Sequence, residues 1–231
     1  MSVETPKTAV APAAPPKRPF FDWRVWTVAV VLLLAVGLSV VLGVKQRSQQ
    51  GYFGMRMFPL KAAYDFKLNG PNSAEVRLDQ FHGKAVLFLF GFTHCANICP
   101  TSLTNLAQVY QALTPEERQR VQVVFISVDP NRDTAQTLQE YVTSFDPAFI
   151  GLTGPKPAID QTVLAYGGSY EMVAGTTNQP NDYSVNHSAY AYLINPSGMF
   201  ELLYDNDKLA DVQKMVTDIR AVLREPASAS H

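Results

Sequence analysis

Cysteine is scarce in this chain, net charge is nearly absent, and no internal repeat is visible. Lysine and arginine number 19 against 20 aspartates and glutamates, for a net charge of −1 over 231 residues. With no nucleic-acid signature either, a nucleic-acid-binding role is set aside. The lack of a repeat excludes solenoid and array architectures. Only Cys95 and Cys99 carry thiols, so sulfur chemistry has one place in which to happen. What remains is 47% hydrophobic, enough for one ordinary domain plus whatever the N-terminus adds.

Charge is missing altogether from Val25 to Val44, and twenty apolar residues are the length needed to cross about 30 Å of hydrocarbon. Trp23 and Trp26 stand where an interfacial aromatic belt belongs. The run exceeds the apolar core of a cleaved signal peptide and no small-residue cleavage site follows, so it reads as an uncleaved anchor. Lys7, Lys17, Arg18 and Arg24 precede it and Lys45 and Arg47 follow, a weak positive-inside bias that puts the N-terminus in the cytoplasm. A mitochondrial presequence would be Arg-rich and Ser-rich, which this N-terminus is not. The expected organisation is a disordered cytoplasmic tail over 1–24, a transmembrane helix over 25–44, a juxtamembrane linker over 45–59, a folded domain over 60–224 and a short tail over 225–231. The expected location is a bacterial inner membrane, crossed once, with the C-terminal domain in the periplasm.

Within the domain, Tyr64–Leu68 and Glu75–Leu78 flank a turn at Asn69-Gly70-Pro71-Asn72 and predict an N-terminal hairpin. Ala85–Phe90 and Val121–Val128 are continuous apolar runs, the pattern of strands buried on both faces of a parallel sheet. Thr114-Pro115-Glu116-Glu117 carries a capping-box pattern, and Asp133 is read as the cap of a helix burying Leu138, Tyr141, Val142 and Phe145. A short strand over 149–152, a helix over 157–166 and a strand over 169–173 follow. Ala189–Ile194 and Met199–Tyr204 face each other across a turn at Asn195–Gly198, and a last helix runs from 208 to 223. Strands alternating with helices predict an α/β domain with a parallel sheet.

The cysteines lie in Phe90-Gly-Phe-Thr-His-Cys95-Ala-Asn-Ile-Cys99-Pro100, after one buried strand and ahead of a helix. Loops leaving the carboxyl ends of parallel strands are where such folds place their sites, and a helix N-terminus favours the thiolate. On a regular helix, residues four apart keep their Cβ atoms about 5–6 Å apart, whereas a disulfide wants about 3.8 Å. The spacing therefore leans towards a metal shared by two sulfurs and leaves a disulfide open. Asp129, in the loop after the second buried strand, falls at the same sheet edge as the cysteines, within reach of the surroundings of a metal there. Met55 and Met57 read as packing or membrane-surface residues, and His82, His94 and His231 as ordinary histidines.

The strings Phe90-Gly-Phe-Thr-x-Cys95-x-x-x-Cys99-Pro100, Phe125-Ile-Ser-Val-Asp-Pro-x-Arg-Asp-Thr134, Phe145-Asp-Pro, Ile150-Gly-Leu-Thr-Gly154 and Tyr183-x-Val-x-His187-Ser188 together resemble the Sco/SenC/PrrC family, over roughly Phe66 to the last helix. The resemblance implies a thioredoxin-like α/β fold with an N-terminal β-hairpin extension, behind one transmembrane helix. It also implies copper, as Cu(I) and Cu(II), held by Cys95, Cys99 and His187. Many members have Pro-Asp after the first cysteine where this chain has Ala96-Asn97, a change that alters loop stiffness and charge and leaves the three ligands in place. Such a set is chemically coherent, because soft sulfur selects Cu(I), imidazole helps hold Cu(II), and structural zinc would usually need a fourth ligand.

The function implied is that of a copper metallochaperone, not an enzyme in the ordinary sense, that helps assemble the dinuclear copper centre of cytochrome c oxidase subunit II. Other periplasmic copper chaperones are further implied partners. The alternative is an extracytoplasmic thiol-disulfide oxidoreductase using Cys95 and Cys99 as a redox pair to keep the acceptor's cysteines reduced. A peroxidase-like thiol enzyme is a third reading.

Overall fold

A computed structural model describes residues 23–47, 51–177 and 182–225, with side chains of the first stretch described over 26–39. The chain divides into two units, Met1–Gly51 and Tyr52–His231. In the first, α1 spans Trp23–Arg47. Apart from half-buried Ala29, its described apolar side chains are exposed, Leu32, Leu33 and Leu34 each by 60% or more, and its Ser39 hydroxyl is satisfied within the helix by the Ala35 carbonyl at 2.7 Å. Among the described residues no helix is long and apolar enough to cross a membrane. Of the tail expected over 1–24, residues 1–22 lie outside the described residues, as do 226–231, and Trp23 and Arg24 open α1.

The second unit runs β1 (Met55–Ala62), β2 (Lys67–Asn69), β3 (Glu75–Arg77), β4 (Ala85–Gly91), α2 (Ile98–Gln111), α3 (Pro115–Gln119), β5 (Val121–Ser127), α4 (Ala135–Thr143), β6 (Ile150–Leu152), α5 (Lys156–Ala165), β7 (Tyr170–Ala174), β8 (Tyr183–His187), β9 (Ala191–Ile194), β10 (Met199–Tyr204), α6 (Asn206–Leu209) and α7 (Val212–Arg224). The main sheet has the order β1-β10-β9-β4-β5-β6, while β2-β3 and β7-β8 are separate two-stranded pairs. The two apolar runs form the centre: β4 and β5 are parallel, from Ala85↔Val121 to Gly91↔Ser127. β6 continues in parallel and β9 lies antiparallel to β4.

Alternation along β4 divides the core. Ala85, Leu87 and Leu89 face a cluster with Leu103 and Leu106 of α2, Leu138 and Val142 of α4, and Met215, Val216 and Ile219 of α7. Val86, Phe88 and Phe90 face the other side, against Phe66 and Leu68 around the β2–β3 hairpin and Ile159, Val163 and Tyr166 on and after α5. Residues alternate in this way because successive strand side chains point to opposite faces, and with both faces covered every residue of β4 is buried. The parallel pairing brings the loops after Gly91 and Ser127 out at one edge, where the Val128 amide donates to the Gly91 carbonyl at 2.9 Å.

Three sequence expectations shift. The segment read as linker to residue 59 already holds β1, paired antiparallel to β10 from Met55↔Leu203. Its hold is non-local: Phe53 and Gly54 amides donate to buried Asp218 at 3.0 and 2.8 Å, and Arg56 pairs with buried Glu201 at 2.9 Å. The final helix is two helices, because Asp205 and Asp211 each accept a first-turn amide and start a new one. The helix after β5 is capped by Thr134, whose hydroxyl accepts from the Thr137 amide, and not by Asp133.

Candidate metal centre

The site grows from the end of β4. A Cβ on Gly91 would lie 2.8 Å from Cys99 Sγ and 2.6 Å from the Phe125 ring, so only glycine lets this strand end pass so close to a sulfur. The chain then turns through Phe92–Asn97 into α2. Asn97, at the N-cap position, makes no side-chain capping bond; instead the Cys99 amide donates to Cys95 Sγ at 3.4 Å. The sulfur of Cys95 thus takes the place of a capping oxygen on one of the orphan donors of the helix N-terminus. Pro100 sits in the first turn, where a missing N–H costs nothing.

His187 arrives from elsewhere, at the end of β8. Its Nδ1 lies 3.1 Å from the Ser188 carbonyl. A carbonyl only accepts, so Nδ1 donates to it, and Nε2 is the ring nitrogen left to face the sulfurs. Nε2 is 3.4 Å from Cys99 Sγ, and the two sulfurs and the imidazole nitrogen all lie within 4.8 Å of one another. Both thiols are free; Cys99 is buried and Cys95 half-buried.

The two thiols share their proton unequally. The hydrogen bond from Cys99, seconded by His187 and by the amides of Cys99 and Asn97 against the cost of burial, lowers Cys95 to about 4. That same bond to Cys95, together with burial and the nearby Asp133 charge, raises Cys99. At neutral pH the metal-free site therefore holds a Cys95 thiolate and a Cys99 thiol beside the Nε2 of His187, two soft donors and one borderline donor for a soft ion.

The structure brings Cys95, Cys99 and His187 together and leaves His82 and His94 outside; His94 is exposed and its Nδ1 meets Thr93 Oγ1 at 3.0 Å. His231 is outside the described residues. Asp129 does sit at this edge, fully buried, but its carboxylate is taken by the Tyr183 hydroxyl at 2.6 Å and by Arg132 Nε. It meets the ribbon that carries His187, and no metal donor. The carboxylate closest in effect to the cysteines is Asp133, which sequence reasoning assigned to a helix cap. Asp133, 1% exposed, accepts from the Thr93 amide at 3.0 Å, from the Thr93 hydroxyl, and from Ser127 Oγ at 2.6 Å, tying the cysteine loop to the end of β5. Its signal was present in the string Asp129-Pro-x-Arg-Asp133, and local reading gave it to the wrong neighbour.

Comparison with known proteins places this geometry. The SCO1/SenC family model matches residues 56–224. The chain is 40% identical over 150 residues to the mitochondrial SCO2 homolog of Bos taurus, a match covering 62% of this chain and 56% of that protein; it thus spans little more than half the length of that curated relative. The solution structure of apo Sco1 from Thermus thermophilus is 37% identical, with a TM-score of 0.68 over 75% of this chain and 98% of that one. The copper-bound ScoI of Arabidopsis thaliana is 36% identical, with a TM-score of 0.60 over 70% of this chain and 99% of that one. The expected α/β thioredoxin-like fold is supported by these likenesses, and copper is the metal with which such relatives have been solved.

Proposed function

The chain belongs to the SCO1/SenC family, and on that premise we propose that it is a membrane-anchored copper metallochaperone that helps build the dinuclear copper centre of cytochrome c oxidase subunit II. The observation that carries the reading is the convergence of two sulfurs and one imidazole nitrogen within 4.8 Å, drawn from segments nearly ninety residues apart in sequence. Cys95, Cys99 and His187 hold the copper, as Cu(I) through the sulfurs and as Cu(II) with the imidazole. Because Cys95 is half-buried, its sulfur is the point at which an acceptor's ligand enters and copper leaves by ligand exchange.

In this reading residues 1–24 form a cytoplasmic tail, 25–44 cross the inner membrane once, and the domain that ends near residue 224 works in the periplasm, where other copper chaperones supply it. The exposed apolar surface of α1 supports the anchor. So does the topology: β1 begins at the sheet edge from which the cysteine loop leaves, three strands away, about 14 Å at ordinary strand spacing. A tether joining at that edge suits an acceptor that is itself in the membrane.

A second reading has its own observation. Free thiols with one proton held by Cys99 are also the resting state of a dithiol reductant: the Cys95 thiolate attacks an acceptor disulfide, Cys99 loses its proton and displaces the mixed disulfide, and the acceptor leaves reduced. Deletion of the chromosomal copy at limiting copper, with complementation by parent, His187→Ala or Cys95→Ser, separates the two. The chaperone reading expects oxidase copper to fall and only the parent to restore it; restoration by His187→Ala favours the reductant. A reporter fused after His231 is expected to read as extracytoplasmic, and a cytoplasmic signal there would overturn the delivery mechanism.

A further inference from the structure

The strand that carries His187 is not part of the main sheet. β7 and β8 form their own ribbon, whereas both cysteines belong to the loop and helix that follow β4. Something other than the sheet's hydrogen bonds must fix the imidazole against the sulfurs. At the loop end of the ribbon, where Tyr183 pairs with Ala174 and opposite the end that carries His187, Arg132 Nη1 donates to the Tyr183 carbonyl at 2.9 Å, and its guanidinium carbon lies 3.7 Å from the centroid of the Tyr183 ring. Arg132 is itself seated by Asp129, whose carboxylate accepts from Arg132 Nε and from the Tyr183 hydroxyl. The same guanidinium lies 5.6 Å from the centroid of Phe92, and the Phe92 ring meets the His187 ring edge to face at 5.8 Å. Arg132 therefore touches both ends of the problem: the first residue of the strand, and the aromatic wall against which the imidazole rests.

We propose that Arg132, seated by Asp129, is the positioning residue that latches the β7–β8 ribbon and thereby sets His187 opposite the dithiol. A planar fork suits this task, because one guanidinium can bind a carboxylate, donate to a carbonyl and stack on rings at once, which an ammonium cannot. Neither sulfur is among the contacts of the latch. Loosening it removes the imidazole from the ion and leaves the two sulfurs untouched, so Cu(II) affinity falls while Cu(I), content with two thiolates, is held nearly as before. The inference rests on the copper reading of the site for that consequence; the latch itself has a metal-free signature.

The test uses the full chain in detergent, comparing the parent with Arg132→Met, Arg132→Lys and Tyr183→Phe, each also made in a His187→Ala background. Supporting shells of this kind typically contribute about 10–100-fold to metal affinity. Arg132→Met is expected to weaken Cu(II) by that factor, to change Cu(I) affinity less than about threefold, and to cost nothing further once His187 is Ala, the mark of two residues acting through one contact. Arg132→Lys is expected to restore little, and Tyr183→Phe to lose severalfold. In the reduced, metal-free protein, the nuclear Overhauser contact between the Phe92 and His187 rings is expected to vanish in Arg132→Met. Equal losses of Cu(II) with and without His187, or an intact ring contact in Arg132→Met, would overturn the latch. If Arg132→Met does not fold, Tyr183→Phe carries both readouts. A His187→Ala protein that binds Cu(II) like the parent overturns the copper reading instead, and the ring contact then still decides the latch.

Discussion

Asp133 is the residue on which the cysteine loop hangs, and removing its carboxylate measures how firmly. It accepts three hydrogen bonds, two from Thr93 and one from Ser127. Hydrogen bonds to a buried charge are worth about 1.5–3 kcal/mol each. Thr93 is half-exposed, so water replaces part of what it loses, but Ser127 is fully buried and finds no substitute. Asp133→Ala is therefore expected to cost about 3–5 kcal/mol, a large share of the roughly 5–15 kcal/mol that holds a domain together. With a urea slope of about 2.5 kcal/mol/M the unfolding midpoint drops by about 1.5 M. Asp133→Asn keeps one acceptor oxygen and is expected to lose about half as much. Near-UV circular dichroism of the reduced protein across a urea series reads both. A midpoint for Asp133→Ala within about 0.3 M of the parent would refute the assignment of these bonds as the anchor of the loop.

Three further outcomes follow from the same structure. Alkylation of the reduced, metal-free protein is expected to modify Cys95 alone, at a rate that is flat through neutral pH and falls only as pH drops through about 4, because the thiolate is lost there; a rate still rising between pH 7 and 9 would contradict the shared proton. Gly91→Ala forces a Cβ against Cys99 Sγ and the Phe125 ring, and is expected to weaken Cu(I) binding at least tenfold in a titration against a competing chelator; unchanged affinity would mean that the strand end gives way freely. Asp218→Ala strips the acceptor from the amides of Phe53 and Gly54 and from the Tyr204 hydroxyl and is expected to lower the urea midpoint by at least about 1 M with copper affinity unchanged, since these contacts lie outside the ligand set; a parallel loss of copper would show that the start of β1 and the site are coupled.

What could be read from the sequence divides along local and non-local lines. β4 and β5 were legible because a strand covered on both faces needs an unbroken apolar run, and Ala85–Phe90 and Val121–Val128 are such runs. β1 was not. Polar residues and glycines up to Arg56 make its start look like linker, and what holds it, Glu201 and Asp218, lies more than 140 residues away. Asp133 and Thr134 illustrate the same limit at one position: either suits a helix cap, and only the fold reveals that the aspartate turns inward to Thr93 while the threonine caps. The cysteines announced themselves by spacing and context. His187 did not, and its place came from resemblance to a known motif; the Arg132 contact at the loop end of its ribbon depends on pairings that no local pattern encodes.

The central claim is that Cys95, Cys99 and His187 form one copper site, and the most direct measurement is a titration of the reduced protein with Cu(II), followed by sulfur-to-copper charge-transfer absorption, for the parent and for His187→Ala. One equivalent with intense absorption is expected for the parent. In His187→Ala that absorption is expected to weaken or shift, and Cu(II) affinity to fall far more than Cu(I) affinity measured alongside. If His187→Ala bound Cu(II) with the parent's affinity and spectrum, the imidazole would not be a ligand and the site drawn here would be wrong.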